Sequence, residues 1–179
     1  MRIILNILLV CLLASCGTAN INRYEAAQPK LDLEDYFIGT TNAWGMFQQR
    51  DGEVIKRFQV VIEGKKEAGQ LVLDERFKYS DGTTQQRIWR LQKIEDGKWR
   101  GTADDVKGEA IGTVVGNTLN WRYTLLLPVD GKIIEVSMDD WMYLIDENTI
   151  INRTSMQKFG IEVGQVTIAF CRRIACSKP

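Results

Sequence analysis

The amino-acid sequence predicts an all-β fold, an antiparallel up-and-down β-barrel of about eight to ten strands. The dipeptide Asp-Gly occurs four times, beginning at Asp51, Asp81, Asp96 and Asp130, each time between segments rich in β-branched and aromatic residues. Asp-Gly is a strong hairpin signal, because a two-residue type I′ turn needs positive φ at both central positions. No stretch shows a sustained helical period with caps. The chain is therefore predicted to be a succession of antiparallel hairpins.

Alternation of apolar and polar residues supports the individual strands. Between residues 70 and 80, Leu71, Leu73, Phe77 and Tyr79 share one face with a single acid, Glu75, as expected for a strand with one face in a core. The same criteria predict ten strands, at residues 44–49, 53–63, 70–80, 83–95, 98–103, 107–115, 118–127, 132–145, 150–158 and 162–172. Ten strands with short turns must hide their edges, which favours a closed or nearly closed barrel. A two-sheet β-sandwich is the alternative, since periodicity alone does not separate the two.

The N-terminus predicts a signal peptide. Residues 3–13 are apolar except for Asn6 and follow a single cation, Arg2. This run of about 11 residues is too short to span a bilayer as a helix, which needs roughly 20. It ends in Leu13-Ala14-Ser15-Cys16, which resembles the lipobox of bacterial lipoproteins. The resemblance implies cleavage before Cys16 and acyl chains on that cysteine, and two or more chains hold a protein firmly on a membrane.

The residue after the cysteine bears on location. In lipoproteins of this kind an Asp at that position tends to retain the protein in the inner membrane, and here the residue is Gly17. The resemblance thus implies the periplasmic face of the outer membrane. We expect three parts of the chain: residues 1–15 as signal peptide, residues 16–35 as a lipidated flexible tether ending in a short helical turn near residues 31–37, and residues 36–179 as one barrel domain.

Composition argues against several functions. The chain has 23 basic and 23 acidic side chains and no histidine. A neutral balance argues against nucleic acid as a partner, because such binding depends on a surplus of Lys and Arg. The absence of histidine removes the usual catalytic triads and most zinc sites. We expect no catalytic residues, no cofactor and no metal, with a hydrolase kept only as a third hypothesis.

Two cysteines remain downstream of the signal and anchor. Four residues separate Cys171 from Cys176, and a disulfide can persist in an oxidising compartment. A Cys171–Cys176 bridge requires the backbone to turn back. The alternative is two reduced, partly buried thiols.

Aromatic residues and acids supply the candidate ligand site. Each of three Trp-Arg pairs, at Trp89, Trp99 and Trp121, would place an indole on one side of the barrel wall and a guanidinium on the other. The alternative for any one Trp is core packing. The candidate ligand-binding residues are Trp44, Glu75, Trp89, Trp121, Asp139, Asp140, Trp141 and Arg153.

The pair Asp139-Asp140 lies in an otherwise apolar strand, so one carboxylate must face inward and needs a partner. Arg153 is the nearest candidate, and Arg90 or Arg122 are alternatives. A structural ion pair is the interpretation favoured over a ligand or catalytic role. Glu75 and Asp139 could also form the two-carboxylate pair of a glycosidase, a reading that needs their separation to be established.

Several segments of the mature chain together resemble one family of bacterial lipoproteins, the domain of unknown function 3833. They are residues 37–39, 44–47, 116–121, 139–144 and 152–160. A weaker resemblance is to the lipocalin-like barrels, which open with a Gly-x-Trp strand and stack a late Arg on that Trp. Here Gly39 and Trp44 depart from the spacing, and Arg172 or Arg173 would be the stacking partner.

The sequence as a whole favours an outer-membrane lipoprotein whose barrel binds or carries a small hydrophobic ligand such as a lipid. This function follows from analogy of fold. The alternative is a cell-envelope structural or interaction protein with a filled core and no small-molecule ligand.

Overall fold

The computed structural model describes residues 19–172, which form a closed antiparallel barrel of ten strands. Each strand pairs with its neighbours in sequence, and β1 closes the barrel on β10, with Asn42 opposite Cys171 and Gln49 opposite Gly164. The strands are β1 Gly39–Gln49, β2 Val54–Glu67, β3 Gln70–Tyr79, β4 Thr84–Glu95, β5 Lys98–Thr102, β6 Ala110–Val115, β7 Thr118–Val129, β8 Lys132–Leu144, β9 Thr149–Lys158 and β10 Ile161–Cys171. The up-and-down barrel is confirmed. The β1–β10 ladder removes the edges that a sandwich would have.

Three strand boundaries differ from the sequence prediction by three residues or more, and one of them is the end of β2, at Glu67 instead of residue 63. β1 begins five residues earlier than expected, at Gly39. β6 begins at Ala110 instead of residue 107, because the preceding segment pairs with β7: Val106 forms a bridge with Leu125, and the Lys107 amide donates to Thr124 at 2.9 Å.

The Asp-Gly hairpins are not all type I′ turns. Only at Asp130-Gly131 do both residues have positive φ, 49° and 75°. At Asp51 and Asp81 the carboxylate instead accepts the backbone amide two residues on, at 3.0 Å in each case, so the turn is longer. A local side-chain hydrogen bond of this kind competes with the tight turn. The prediction of hairpins was right, and the prediction of type I′ geometry was wrong at three of the four sites, Asp51, Asp81 and Asp96.

One end of the barrel, which we call the closed end, is plugged by a short helix. Helix α1, Leu33–Phe37, is capped by Asp32, whose carboxylate accepts the Asp35 amide at 3.0 Å. Leu33, Tyr36 and Phe37 are buried under the barrel. The Tyr36 hydroxyl donates to a backbone carbonyl in the β8–β9 turn at 2.8 Å.

The segment before α1 also packs on the barrel. A 3-10 turn spans Ile21–Tyr24, and the Leu31 amide donates to the Gly116 carbonyl at 2.8 Å. The expected helical turn is confirmed, but the expectation of a flexible tether is wrong for residues 20–35. Leu31 is buried and packs in the same apolar cluster as helix α1, so this segment is part of the plug.

Three tryptophan side chains pack in the interior of the barrel. Trp89, Trp99 and Trp121 are buried and face inward, and the arginine after each faces out. A Cβ at Gly112 would lie 2.2 Å from the Trp121 ring, and one at Gly101 would lie 2.8 Å from it. Glycine in β5 and β6 therefore makes room for the indole.

In the part of the chain that the structure describes, no helix has the length and apolarity to cross a bilayer.

Candidate functional site

The opposite end of the barrel, which we call the open end, holds a cavity of about 610 Å³. Its lining is mainly apolar, with Arg87 among the few charged groups. The lining residues include Phe47, Ile55, Tyr79, Arg87, Asp105, Leu125, Leu127, Ile133, Met156 and Val163. A smaller void of about 90 Å³ lies in the interior and is also lined by Arg87. Arg87 thus separates the open cavity from the packed interior.

Arg87 is held by two acids from different elements. Arg87 projects inward from β4 because it shares the parity of Trp89 and Leu91. Its Nε and Nη2 donate to the Asp105 carboxylate at 2.9 and 2.7 Å, and its Nη1 lies 3.9 Å from Glu75 Oε2. The forked contact to Asp105 fixes the guanidinium plane. Asp105 Oδ1 is buried without a hydrogen-bond partner, so this cluster keeps one free acceptor.

Glu75 is the inward acid of β3, as the sequence predicts. Burial raises its pKa to about 7, against the opposing effect of the Arg87 charge. At neutral pH the side chain exists in both protonation states, so it can donate as well as accept a hydrogen bond.

Asp140 is the inward acid of β8 and is buried. Its carboxylate accepts a hydrogen bond from the Asn152 side-chain amide and is also hydrogen-bonded by Thr154. Burial nevertheless raises the pKa of Asp140 to about 7. The barrel therefore holds two acids, Glu75 and Asp140, that change charge near neutrality and line the same interior void.

Four of the eight candidate ligand residues face the interior: Glu75, Trp89, Trp121 and Asp140 all line the small void. The other four lie on the outside of the wall, and an interior role for them is wrong. Trp44 is 38 % exposed and lines a groove of about 580 Å³ on the outer face of β1, β2, β3 and β10.

Trp141 faces outward yet is buried. Its ring stacks with Tyr143, with centroids 6.3 Å apart, and Tyr24 of the N-terminal turn covers it at 6.5 Å. Trp141 is therefore buried on the outer wall of the barrel because Tyr24, from the segment that was expected to be a tether, covers it.

Asp139 and Arg153 also lie outside the barrel. Asp139 accepts from Asn120 at 2.8 Å and from Arg122 at 3.1 Å. Arg153 donates to Gln165 at 2.9 Å and is exposed. The predicted ion pair between the inward acid and Arg153 is wrong, because the Arg153 side chain points out of the barrel. The neighbouring Asn152 points inward and donates its side-chain amide to Asp140. Asp139 and Glu75 lie on opposite sides of the wall, so they cannot form a glycosidase pair.

Arg172 does not take up the predicted position over Trp44. Its guanidinium lies 5.5 Å from the centroid of the Tyr36 ring and donates to the Asp35 carboxylate at 3.0 Å. Arg172 therefore fastens helix α1 at the closed end. Arg173 lies outside the described residues.

The predicted cysteine chemistry falls mostly outside the described part of the chain. Cys171 is disulfide-bonded, but Cys176 lies outside residues 19–172, so the pairing of the two stays a prediction. Cys16 lies outside them as well. Within residues 19–172, no group of three or more His, Cys, Asp or Glu side chains is arranged to hold a metal ion.

Sequence reasoning missed Arg87, Asp105 and Asn152. Alternation would have found Arg87 and Asn152, since each shares parity with buried neighbours on its own strand. Asp105 comes from the irregular segment between β5 and β6, where no period exists to assign a face.

A family model for proteins of unknown function, DUF3833, matches residues 10–172. The chain belongs to this family. Among curated proteins no sequence matches it significantly.

Solved structures with a similar fold include the S-type phycobiliprotein lyase CPES from Guillardia theta. The TM-score is 0.59 at 6% identity, over 87% of this chain and 98% of that one. Rv2717c from M. tuberculosis superposes with a TM-score of 0.55 at 14% identity, over 76% of this chain and 92% of that one. At these identities the likeness concerns the fold, a lipocalin-like barrel.

Proposed function

We propose that this member of the DUF3833 family binds a small, largely apolar molecule in the cavity at the open end of its barrel. The observation that carries the proposal is the cavity of about 610 Å³, whose walls are mainly apolar and whose inner boundary is the Arg87 cluster. Cavities of roughly 300–1,000 Å³ with apolar walls and a few placed polar groups are typical of small-molecule sites.

The polar groups suggest how such a ligand would be oriented. Arg87 is already bound to Asp105, so it offers little free charge to an anion. Asp105 Oδ1 is a free acceptor in the cavity lining, whereas Glu75 lies in the interior void on the other side of Arg87. This arrangement suits a ligand whose polar end is an uncharged hydrogen-bond donor, such as a hydroxyl or amide, more than a free carboxylate.

The similar structures support ligand binding and also favour a second candidate. One of them is named a lyase for phycobiliproteins, and this barrel buries two acids with a pKa of about 7. Such acids suit proton transfer. A catalytic role for Glu75 and Asp140 is therefore the second candidate function, and it predicts that Glu75→Gln impairs turnover of a bound ligand without weakening its binding.

We also infer an anchor and a location from the sequence. Cys16, in its lipobox-like context, would carry the acyl chains, and Gly17 favours the periplasmic face of the outer membrane. Metabolic labelling with palmitate should mark the wild-type chain and not Cys16→Ser. Labelling that survives this substitution would contradict the anchor and leave the cavity proposal standing.

An uncharged fluorescent alcohol, 4-(1-pyrenyl)butan-1-ol, is a suitable probe of the cavity, and its affinity for the full chain can be followed by emission. Met156 lines the cavity, so Met156→Trp should fill it and weaken probe binding at least tenfold. Ile111 is 51 % exposed on the outer face of β6, and Ile111→Trp is the matched control with less than a twofold effect. Equal affinity in both variants would contradict a ligand in this cavity. If the wild-type chain does not bind the probe at all, the result would favour the alternative function, an interaction protein of the cell envelope without a small-molecule ligand.

A further inference from the structure

The open end carries a one-sided set of exposed apolar side chains, which we call the apolar rim. They lie in or beside three hairpins, β1–β2, β7–β8 and β9–β10, that are adjacent around the barrel. The apolar rim consists of Val54, Ile55, Val129, Ile133, Phe159, Ile161 and Val163. Isolated exposed apolar residues need no explanation, but several of them grouped around a cavity mouth indicate an interaction surface.

Phe159 is the most exposed member of the apolar rim, at 93 %. It occupies the first position of a two-residue turn with φ of 52°, followed by Gly160 with φ of 75°. Gly, Asn and Asp are the residues that usually adopt this left-handed conformation, and the corresponding residue of the β7–β8 hairpin is Asp130. The ring's contact is with the Lys158 ammonium, 5.3 Å from its centroid. The fold would be served better by Asn, so a strained and solvent-facing Phe points to a partner.

The apolar rim is continuous with the cavity. Ile55, Ile133 and Val163 belong to the rim and also line the cavity of about 610 Å³. A molecule that leaves an apolar phase in contact with the rim would therefore meet apolar side chains throughout its path into the barrel.

Charge divides the open end into two halves. The β3–β4 hairpin and the segment between β5 and β6 carry three exposed carboxylates, on Asp81, Asp104 and Glu109, and one exposed cation, Lys107, whereas Asp105 is bound to Arg87. The three apolar-rim hairpins carry balanced charges, with Arg50, Lys132 and Lys158 against Asp51, Glu53 and Asp130. An anionic lipid surface repels the first half and admits the second, and Lys beside an aromatic tip is a common arrangement at lipid headgroups.

We propose that the apolar rim inserts into a phospholipid leaflet, with Phe159 at its tip, so that the cavity opens directly onto the lipid. The route of the ligand rests on the proposed function, whereas the insertion itself rests on the rim alone. The rim consists of hairpin tips around an opening instead of a continuous face. Such tips suit a fluid surface that adapts to their shape better than a second rigid protein surface.

The insertion is tested by a nitroxide spin label on the full chain with vesicles of phosphatidylethanolamine and phosphatidylglycerol. Phe159→Cys places the label on the apolar rim, Thr84→Cys places it at an exposed position of the acidic half, and the chain without an added cysteine is the blank. With vesicles present, the label at 159 should gain collisions with oxygen and lose collisions with a water-soluble nickel chelate several-fold. The label at 84 should stay accessible to the chelate. Equal chelate accessibility at 159 with and without vesicles would overturn the insertion.

A second variant separates insertion from ligand binding. Phe159→Asn keeps a residue suited to the turn and removes the ring, and Phe159 does not line the cavity. It should leave the affinity for 4-(1-pyrenyl)butan-1-ol in solution unchanged and slow transfer of that probe from vesicles at least threefold. Unchanged transfer would contradict the proposal. A concentration-dependent dimer that Phe159→Asn abolishes would assign the rim to a second copy and also overturn it. Lipid shielding at 159 in a chain that binds no probe would leave the insertion standing and refute the proposed function.

Discussion

Replacing Asp140 by Asn should make the protein more stable at neutral and alkaline pH and less sensitive to pH. Asp140 is buried, and burial raises its pKa from the ordinary value of 3.8 to about 7. Asn has nearly the shape of a protonated Asp, and its amide oxygen can accept the Asn152 hydrogen bond. The variant therefore removes the buried charge and keeps the packing.

The sign and the size follow from linkage. Between pH 4 and 7 the folded chain holds a proton on Asp140 that the unfolded chain has released, so the free energy of unfolding falls as pH rises. The whole shift from 3.8 to about 7 corresponds to about 4 kcal/mol. Glu75, with its pKa also raised to about 7, acts in the same direction. Asp140→Asn should therefore roughly halve the slope of the free energy of unfolding against pH. The double variant Asp140→Asn with Glu75→Gln should nearly abolish this slope.

Urea unfolding of the full chain, followed by tryptophan fluorescence at pH values from 4.5 to 8, measures this slope. Asp139→Asn is the matched control, because the neighbouring acid faces outward and pairs with Arg122. It should keep most of the wild-type slope, because burial raises the pKa of Asp140 more than the Asp139 charge does. A wild-type stability that is constant or rises from pH 5 to 7 would refute the assignment of Asp140 as a buried, raised acid.

Three further changes test the packing. Gly112→Ala should lower the free energy of unfolding by roughly 1–3 kcal/mol, because its Cβ would lie 2.2 Å from the Trp121 ring. A loss below about 0.5 kcal/mol, which is the usual effect of a surface substitution, would contradict this packing. Phe37→Ala should cost about 3–5 kcal/mol by opening the closed end, and an unchanged urea midpoint would show that α1 is not a structural plug. Trp141→Ala should speed amide hydrogen exchange in residues 20–31 by removing the ring that Tyr24 covers, whereas unchanged exchange there would mean that other contacts hold the segment.

The fold could be predicted from the sequence because its signals are local. Every strand pairs with its sequence neighbours, so turn residues and a period of two between them define the order of the sheet. Closure of β1 on β10 is the one long-range step, and the need to hide edges predicts it.

The site was predicted only where strand parity could be read. Glu75 shares the phase of Leu71 and Leu73, so its inward position follows from the sequence. The sequence analysis left open which of Asp139 and Asp140 faces inward, and the burial pattern of β8 assigns the inward position to Asp140. Choosing a partner by charge instead of parity led to Arg153, and the structure has an amide, Asn152, in that role.

Contacts between distant parts of the chain could not be predicted in this way. Trp141 is buried by Tyr24, and Arg87 is held by Asp105 from a segment without regular period. Neither strand alternation nor turn chemistry carries information about such contacts. They depend on where the barrel brings its ends and on how irregular segments cover it.

Native mass spectrometry of the full chain purified from cells tests the central claim most directly. If the open-end cavity binds a small apolar molecule, wild type should retain an adduct of a few hundred daltons, a mass consistent with a cavity of about 610 Å³. Ile111→Trp should keep the adduct, and Met156→Trp should lose it. An adduct that persists unchanged in Met156→Trp, or none in wild type under conditions that preserve other lipid complexes, would contradict the account.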